Sequence, residues 1–518
     1  MRKNCLHLRE MALGIRALPS PADPRATARA RLRDEVGRIE KQAPFTVALA
    51  YPSPYGAGMS SLGFQRMYRA IQEAPGLGCE RVFLDDEAEG RLSAQTRPLT
   101  FERGRPLEEM PVVAFSVAYE IEIAGMLRML EAASLPALRA ERDERHPFVL
   151  AGGPLTFSNP LPLAPFVDAV VVGEAEELVE PVLRVLEAGG PRHAQLAELA
   201  KIPHVFVPEV HGSTLPIVAK AGADQIPAWA PIRTPHAVLS DMFLIETERG
   251  CSRTCTYCVM RRSTNGGMRL ASMERILELV PDDAKRVGLV GAAVSDHPKI
   301  VDIVRTLAGQ GREVGLSSLR PDRLSDDFVG ALALAGYRTL TTAMDGPSER
   351  MRETLERRAK VKHLQRCAER ARAHGMDRLK LYLMIGLPGE TDADIDECVA
   401  FTTELSRVVP IALGIAPFCA KRNTPLDGAP FAGIDVVEDR LDRLRRGLKG
   451  RADVRSTSAK WAWVEYVLAQ GAEAEGLAVL EATRAGGSFG DYKRAFSRLE
   501  PKRARRKATP FSVRFSDL

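Results

Sequence analysis

Short apolar runs typical of buried strands alternate with stretches of helical spacing along most of the chain, and this alternation limits the possible folds more than any other feature. After residue 240, six such runs recur about every 30 residues, the length of a strand–helix unit. They are FLIETE (243–248), RVGLV (286–290), EVGLS (313–317), RTLTTA (338–343), RLKLYLMI (378–385) and IALGIA (411–416). Strands separated by helices form parallel sheets that helices cover. The sequence therefore predicts an α/β protein with a partial (β/α)6, TIM-like barrel over 241–430, whose chemistry lies at the carboxyl ends of its strands.

A second alternating region precedes the barrel. Its predicted strands are FTVALAYP (45–52), VVAFSVAY (112–119), FVLAGGP (148–154) and VDAVVVGE (167–174), with helices near 62–71, 121–133 and 176–188. The pattern predicts another parallel sheet, in a domain over 42–190. Gly152, Gly153 and Gly173 follow strand ends in this domain, where a missing side chain lets a ligand approach the backbone.

Length and composition set the broad class of protein. The chain has 518 residues, 45% of them hydrophobic and 27% charged, which suits two or three globular domains. Its net charge of +5 is small for this length and argues against a dedicated nucleic-acid coat. No apolar run reaches the roughly 18 residues of a membrane helix, and the N-terminal residues make a poor signal peptide. We therefore expect a cytoplasmic protein without a membrane partner.

Three further segments complete the predicted organisation. Residues 1–41 carry ten Lys or Arg and are predicted to be a flexible or helical leader. Residues 191–240 are richer in Pro and are predicted to be a linker or a small subdomain. Residues 431–518 are predicted to form a small α+β region with a basic segment, 493–507, that contains eight Lys or Arg. Such a charge run is usually a solvated tail, although it also suits contact with phosphates.

Three cysteines carry the strongest chemical signal. Cys251, Cys255 and Cys258 follow the first predicted barrel strand within eight residues. Thiolates are the preferred ligands of iron–sulfur clusters and of zinc. Structural zinc sites usually have four ligands in two CxxC pairs, and the sequence has no second pair, so a zinc knuckle is the weaker interpretation. Three thiolates on a four-iron cluster would leave one iron open to a substrate.

This cysteine spacing at the end of the first strand of a six-unit barrel resembles the radical SAM superfamily, over about 241–430. The resemblance implies that Cys251, Cys255 and Cys258 bind a 4Fe–4S cluster whose unique iron is chelated by S-adenosylmethionine. It also implies an external electron donor of the flavodoxin or ferredoxin type. One electron from that donor would cleave the sulfonium and give a 5′-deoxyadenosyl radical.

The same resemblance implies a set of contacts to S-adenosylmethionine. Tyr257 matches the aromatic residue before the third cysteine, and Gly386, in IGLPGE, matches the glycine segment on the adenine side. Ser318 and Arg320 stand where the superfamily places contacts to the ribose and the carboxylate. Gly291 begins Gly-Ala-Ala where the superfamily has Gly-Gly-Glu, so the acidic member is absent from that position.

The N-terminal region resembles the Rossmann-like cobalamin-binding domain that precedes the barrel in one class of this superfamily. The matching segments are PSPYGAGMSSLGFQ (52–65), AGGPLTFSNPLPLAPFVD (151–168) and VVGEAEE (171–177). The resemblance implies that Gly152, Gly153 and Gly173 line a cobalamin site. None of the nine His stands in an Asp-x-His-x-x-Gly pattern, so a cobalt ligand from that motif is missing. The alternative is a vestigial domain that kept the fold without the cofactor.

These observations lead to one main functional hypothesis and two alternatives. The main hypothesis is a radical SAM enzyme that methylates an unactivated carbon of a small-molecule or peptide substrate, with cobalamin as methyl carrier. The first alternative is a radical SAM enzyme that modifies tRNA or rRNA, similar to a methylthiotransferase, with the basic segment 493–507 against phosphates. No aromatic-interleaved RNA-binding motif accompanies that segment, so nucleic acid is not favoured as partner. The second is a non-catalytic cobalamin or iron–sulfur sensor.

Overall fold

The computed structural model describes residues 24–85, 97–260, 267–317 and 319–499. Its strands are β1 Phe45–Tyr51, β2 Leu77–Phe83, β3 Val112–Ser116, β4 Phe148–Gly152, β5 Ala169–Val171, β6 Val205–Phe206, β7 Met242–Glu246, β8 Glu248–Gly250, β9 Met268–Leu270, β10 Arg286–Val290, β11 Glu313–Leu316, β12 Thr339–Asp345, β13 Arg378–Ile385, β14 Ile411–Pro417 and β15 Ala452–Ser456. Its α-helices are α1 Pro24–Arg33, α2 Tyr55–Gly58, α3 Leu62–Glu73, α4 Glu122–Ala132, α5 Val179–Glu187, α6 Arg192–Leu199, α7 Pro208–His211, α8 Met273–Leu279, α9 Ile300–Gly309, α10 Asp326–Leu334, α11 Glu349–Thr354, α12 Val361–Ala373, α13 Asp392–Ser406, α14 Ile434–Gly447, α15 Ala459–Ala469, α16 Glu473–Arg484 and α17 Phe489–Ser497.

The N-terminal sheet has the strand order β2-β1-β3-β4-β5-β6. Its first five strands are parallel, and β6 pairs antiparallel with β5. The order 2-1-3-4-5 is that of flavodoxin-like, doubly wound sheets, whose ligands bind at the carboxyl edge. This confirms the predicted parallel, Rossmann-like sheet. Because β6 belongs to it, the sheet runs past the boundary predicted at residue 190 and into the segment predicted as a linker.

Strand β2 was not predicted from the sequence, because charged residues interrupt its apolar pattern. Arg81, in its centre, has a side chain with no solvent exposure. Its guanidinium pairs with Glu35 at 2.8 Å and with Glu102 at 2.6 Å. Since buried charges persist only when they are paired, these two distant carboxylates allow Arg81 to lie in a core strand.

The barrel region consists of seven parallel strands in chain order, in two sheets, β11-β10-β7 and β12-β13-β14-β15. The six predicted strands are confirmed, and β15 adds a seventh beyond the boundary predicted at residue 430. No ladder joins β11 to β12 in the parts of the chain that the structure describes. Along β13 every second residue, from Leu379 to Ile385, is buried, as expected for a barrel wall. The architecture is a partial TIM-like barrel.

The last three helices pack on the N-terminal sheet. Val464 and Leu468 of α15 share one buried cluster with Leu155 and Phe166, from the segments after β4. Asn159, with no solvent exposure, donates from Nδ2 to the carbonyl oxygens of Leu468, Ala469 and Gly471, at 3.2, 3.1 and 2.8 Å. The two ends of the described chain therefore form one packed unit. None of the helices in the described ranges combines the length and apolar character needed to cross a bilayer.

Candidate functional site

The three cysteines lie in one loop after β8, at the carboxyl edge of the barrel. Two backbone hydrogen bonds anchor this cysteine loop, residues 251–258, to other barrel loops. Thr256 N–H donates to Leu355 O at 3.1 Å, and Leu426 N–H donates to Thr256 O at 3.2 Å. Leu355 follows α11, and Leu426 lies in the loop after β14. The barrel therefore holds the loop over its open end, where parallel barrels carry their chemistry.

The thiols share one electrostatic environment. Burial raises the pKa of Cys251 and of Cys255, and it raises the pKa of Cys258 to about 11. Cys251 and Cys255 contribute to the shift at Cys258, so the three thiols are near enough to influence one another. Positive charge is needed to make all three thiolates.

The donor set of the cysteine loop consists of three thiols. In the described ranges, no three His, Cys, Asp or Glu side chains are placed to enclose a single metal ion. A four-iron cluster is larger than one ion, and its thiolate ligands stand correspondingly farther apart. Three thiols in one short loop, with no fourth cysteine in that loop of the sequence, fit by their chemistry a cluster that keeps one iron open. Their assignment to a cluster stays a prediction.

Arg357 and Asp345 adjoin the cysteine loop, and the sequence analysis missed both. The Arg357 side chain pairs with the Asp345 carboxylate, and its charge opposes the rise that burial causes in the pKa of the Cys255 thiol. Burial raises the pKa of the Asp345 carboxyl group, and Arg357 and Tyr257 oppose that rise. Asp345 ends β12, so its place at the carboxyl edge was a usable signal. Arg357 directly follows the turn at 355–356, and no motif marked it.

The predicted contacts of S-adenosylmethionine are placed as follows. Gly291, directly after β10, exchanges hydrogen bonds with Ser317, whose Oγ accepts from Gly291 N–H at 3.1 Å and donates to Gly291 O at 2.9 Å. Gly386 N–H donates to Glu390 Oε1 at 2.9 Å, at a φ of +77° that favours glycine. Ser318 lies outside the described residues. Their roles toward S-adenosylmethionine stay predictions.

Arg320 is already engaged by carboxylates of the chain. Its guanidinium pairs with Asp296 and Asp322, and only 3% of its side chain is exposed. Arg253, inside the cysteine loop, reaches Asp322 at 3.1 Å. Arg320 therefore connects the loops after β10 and β11 to the cysteine loop through shared carboxylates. This arrangement positions the loop whether or not Arg320 also contacts a ligand.

Glu248 supplies a carboxylate beside the Gly-Ala-Ala turn. It lies in β8, has no solvent exposure, and accepts from Ala293 N–H at 2.6 Å through Oε1. A Cβ atom at Gly291 would stand 2.1 Å from that oxygen, so a side chain there would require the Glu248 carboxylate to move. Burial raises the pKa of Glu248 to about 7. Glu248 thus places an acidic group beside the Gly-Ala-Ala segment, which has none of its own. Because Glu248 belongs to another strand, no local sequence pattern would have located it.

The glycines of the N-terminal sheet meet the chain's own backbone. Gly153 has a φ of +99°, and a Cβ atom there would lie 2.8 Å from Val117 O. Gly173 has a φ of +101°, and its Cβ atom would lie 2.5 Å from Ala219 N. A Cβ atom added at Gly152 would lie 3.8 Å from Val171 O, which is an ordinary van der Waals contact. The space at Gly153 and Gly173 is therefore filled by protein, and a role for these residues in cobalamin binding stays a prediction.

Ion pairs bring the carboxyl edge of the N-terminal sheet to the mouth of the barrel. Lys421, after β14, donates to Glu120 and to Glu465, both at 2.7 Å. Glu120 follows β3 and is 1% exposed. Arg249, two residues before Cys251, pairs with Glu174 at 3.3 Å and reaches Glu176 at 2.7 Å. The loops of the N-terminal sheet therefore face the end of the barrel that carries the cysteine loop.

Two family models match the chain in series. The model described as "Radical SAM proteins, N-terminal" matches residues 63–208, and "Radical SAM superfamily" matches residues 245–402. The second range contains the cysteine loop, and the first contains most of the N-terminal sheet. The chain belongs to the radical SAM superfamily and is a radical SAM enzyme with an N-terminal extension.

Several other proteins are similar to this chain at low identity. An uncharacterised protein of Methanocaldococcus jannaschii is 24% identical over 74% of this chain and 80% of its own length. A threonylcarbamoyladenosine tRNA methylthiotransferase of Thermotoga maritima is 24% identical over 43% of this chain and 56% of its own length. A ribosomal protein uS12 methylthiotransferase of Syntrophus aciditrophicus is 27% identical over 39% of this chain and 47% of its own length. The match spans about half the length of these methylthiotransferases.

One similar solved structure is that of the cobalamin-dependent S-adenosylmethionine radical enzyme OxsB with aqua-cobalamin bound. Its TM-score is 0.47 and its sequence identity is 12%, and the match covers 77% of this chain and 56% of that one. Methylornithine synthase is similar with a TM-score of 0.32 and 14% identity, over 45% of this chain and 69% of that one.

Proposed function

We propose that this enzyme binds a 4Fe–4S cluster on Cys251, Cys255 and Cys258 and uses it to cleave S-adenosylmethionine reductively. The cysteine loop is the observation that supports this most, because the barrel holds three interacting thiols over its carboxyl edge. Three protein thiolates leave one iron for a substrate to occupy. When bound, the cluster and S-adenosylmethionine supply a one-electron cleavage whose 5′-deoxyadenosyl radical takes hydrogen from a substrate carbon.

The chain's own residues would orient the reactants and exclude water. Ser317 fixes the turn at Gly291, and Glu390 fixes the turn at Gly386, so both backbone segments are held for contact with a ligand. Glu248 offers a carboxylate next to the first of these turns, suited to an ammonium group. The loops after β3 and β5 meet the barrel mouth through Glu120 and Glu174 and would cover the reacting atoms.

The test is anaerobic reconstitution of the full chain with iron and sulfide. We expect a brown protein with about four irons per chain that forms 5′-deoxyadenosine from S-adenosylmethionine when a chemical reductant is supplied. The control replaces Cys251, Cys255 and Cys258 with Ala together. Equal iron content in that triple variant would contradict the proposal.

A second candidate, methyl transfer through cobalamin to a small-molecule or peptide substrate, is supported by the placement of the N-terminal sheet. Its carboxyl edge, where doubly wound sheets bind ligands, faces the barrel mouth through Lys421 and Glu120. Backbone of the same chain fills the space beside Gly153 and Gly173, so these two positions do not fit a corrin. We therefore derive no step through cobalamin.

Cobalamin binding and product analysis separate this candidate from other radical SAM reactions. Methyl transfer would yield S-adenosylhomocysteine and 5′-deoxyadenosine in comparable amounts, and the full chain would retain cobalamin through gel filtration. Formation of 5′-deoxyadenosine alone, by a protein that does not retain cobalamin, would leave the radical enzyme without the methyl-transfer step.

The RNA-modifying alternative predicts a salt-resistant complex with RNA. The described part of the basic segment offers little free charge for this, because Arg494 pairs with Asp491 and Arg498 pairs with Glu481. We expect at most non-specific polyanion affinity that falls steeply with salt, since each phosphate contact adds to the salt dependence. Tight, sequence-selective RNA binding at about 200 mM salt would instead favour a methylthiotransferase-like activity.

A further inference from the structure

The second barrel sheet, β12-β13-β14-β15, carries polar and exposed side chains on the face that points into the barrel. Along β13, Leu379, Leu381 and Leu383 belong to the buried cluster that the sheet shares with the outer helices. Successive side chains of a strand point to opposite faces, so Lys380 and Tyr382 point into the barrel. Tyr382 is 42% exposed although β13 is a central strand of its sheet. Parallel barrels normally fill their interior with branched apolar side chains, so an exposed ring here leaves room for a ligand.

The strand register extends this face to β14 and β15. Tyr382 pairs with Gly414, and Gly414 pairs with Arg455. Residues paired across parallel strands share a face of the sheet. A Cβ atom at Gly414 would lie 2.7 Å from the Tyr382 ring, so the missing side chain makes room for the ring over β14. Lys380 and Asp453 occupy the next row of the same face, farther from the carboxyl edge. We call Lys380, Tyr382, Asp453 and Arg455 together the inner face.

The charges of the inner face leave an excess of one cation. Arg455 and Asp453 pair with each other, with 2.9 Å between Nε and Oδ2. The Lys380 Nζ atom lies 4.8 Å from the centroid of the Tyr382 ring, a distance at which the ring attracts a cation. Among the residues that the structure describes, no carboxylate lies at ion-pair distance from Lys380. An ammonium group beside an exposed ring therefore favours a ligand that carries both a negative charge and a flat apolar part.

The inner face leads up to the cysteine loop. Met384, two residues after Tyr382 on the same face of β13, packs against a small buried cluster at the barrel mouth. Tyr257, of the cysteine loop, packs against the same cluster. Tyr382 lies three residues before Ile385, the last residue of β13, which corresponds to about 10 Å along a strand. A ligand of about that length held at Tyr382 extends to the carboxyl edge, where the cysteine loop lies.

We propose that Lys380 and Tyr382 bind the substrate, and that the substrate is an aromatic anion. The inference rests on the proposed function, because it names the substrate class of that same barrel. The negative group of the substrate pairs with Lys380, and its aromatic part lies against the Tyr382 ring. The rest of the substrate then points toward the cysteine loop. These two residues bind and orient the substrate, and no bond forms or breaks at them.

The test measures the binding of two probes to the reconstituted full-length chain by anaerobic equilibrium dialysis. The probes are 2-naphthoate, an aromatic carboxylate, and 2-naphthamide, its neutral analogue. Lys380→Met removes the charge and should weaken naphthoate binding about tenfold while leaving naphthamide binding unchanged. Tyr382→Leu removes the ring and should weaken the binding of both probes. The matched control is Lys362→Met, an exposed lysine of the outer helix α12, which should change neither.

The outcomes separate this inference from the proposed function. Equal naphthoate binding by wild type, Lys380→Met and Tyr382→Leu would overturn the inference and would mean that another part of the chain covers the inner face. Displacement of naphthoate by S-adenosylmethionine would also overturn it, because the site would then belong to that reactant. A wild-type protein that takes up no iron but binds naphthoate through Lys380 would support the anion site and contradict the proposed function.

A second variant keeps the inference testable if Lys380→Met fails to fold. Gly414→Ala keeps every charge of the inner face and displaces the Tyr382 ring from its place over β14. It should weaken the binding of both probes. Unchanged binding in Gly414→Ala would contradict the role of the ring.

Discussion

The two carboxyl edges that meet in this enzyme differ in what occupies them. In the N-terminal sheet, the positions left open by Gly153 and Gly173 are filled by backbone at Val117 and Ala219. In the barrel, the cysteine loop presents three thiols whose ionisation is opposed by burial. A glycine after a strand therefore indicates that another group lies close to the backbone there, and that group can be part of the same chain. A cluster of three thiols whose ionisation is opposed by burial indicates a ligand more strongly.

The largest expected difference between the two edges concerns the cluster. Cys255→Ala removes the most buried of the three thiols and should abolish iron binding, because two thiolates cannot hold the cluster that three hold. The N-terminal sheet should remain folded, since its own core does not include the cysteine loop. Iron analysis and limited proteolysis of residues 44–190 measure the two effects. Loss of the N-terminal sheet together with iron would mean that the two regions fold as one unit.

A smaller effect is expected at the N-terminal edge. Gly173→Ala places a Cβ atom 2.5 Å from Ala219 N at a φ of +101° and should lower the free energy of unfolding by about 3 kcal/mol or more. Gly190→Ala is the matched control, with a φ of +110° and nothing within 4 Å, and should cost only about 1–2 kcal/mol. Urea unfolding of both variants measures the difference. Equal costs would mean that Gly173 faces open space, as a cofactor site there requires.

Features encoded in short contiguous segments could be predicted from the sequence. Features that depend on residues far apart in the chain were missed. The cysteine loop and the barrel strands carry their signals in short contiguous segments, so their positions followed from spacing. Strand β2 was missed because Arg81 is made acceptable in the core by Glu35 and Glu102, which come from elsewhere in the chain. Arg357 comes near the cysteine loop only through the folding of the barrel, where Leu355 accepts from Thr256 N–H, and no motif around it indicates this.

The glycines show a different limit. Their position at the carboxyl edge of the N-terminal sheet was correctly predicted, since each follows a strand end. What fills the space beside them depends on segments far along the chain, such as Val218 and Ala219, which lie in the region predicted as a linker. A local pattern specifies that a close contact exists, and only the tertiary structure specifies its partner.

The smallest effect is expected at Glu248, and it tests whether the acidic group beside Gly291 is held in a neutral state until a ligand arrives. Burial raises its pKa from 4.5 to about 7 in the folded enzyme. Between these values the unfolded chain has lost the proton that the folded enzyme still binds, so stability falls as pH rises toward 7 and is constant above it. Glu248→Gln keeps an acceptor for Ala293 N–H and removes this dependence, worth at most about 3 kcal/mol.

Urea unfolding of wild type and Glu248→Gln between about pH 5 and about pH 8 measures the difference. The variant should gain stability relative to wild type as the pH rises, and the gain should stop near the folded pKa of Glu248. Glu246→Gln, in the neighbouring strand β7, is the control: Glu246 pairs with Arg249 at 2.7 Å, so losing its charge should lower stability instead. A Glu248→Gln variant whose advantage does not grow with pH would mean that Glu248 is already ionised, through a cation supplied by the fold. The barrel edge would then resemble the N-terminal edge, with its polar group satisfied by the chain itself.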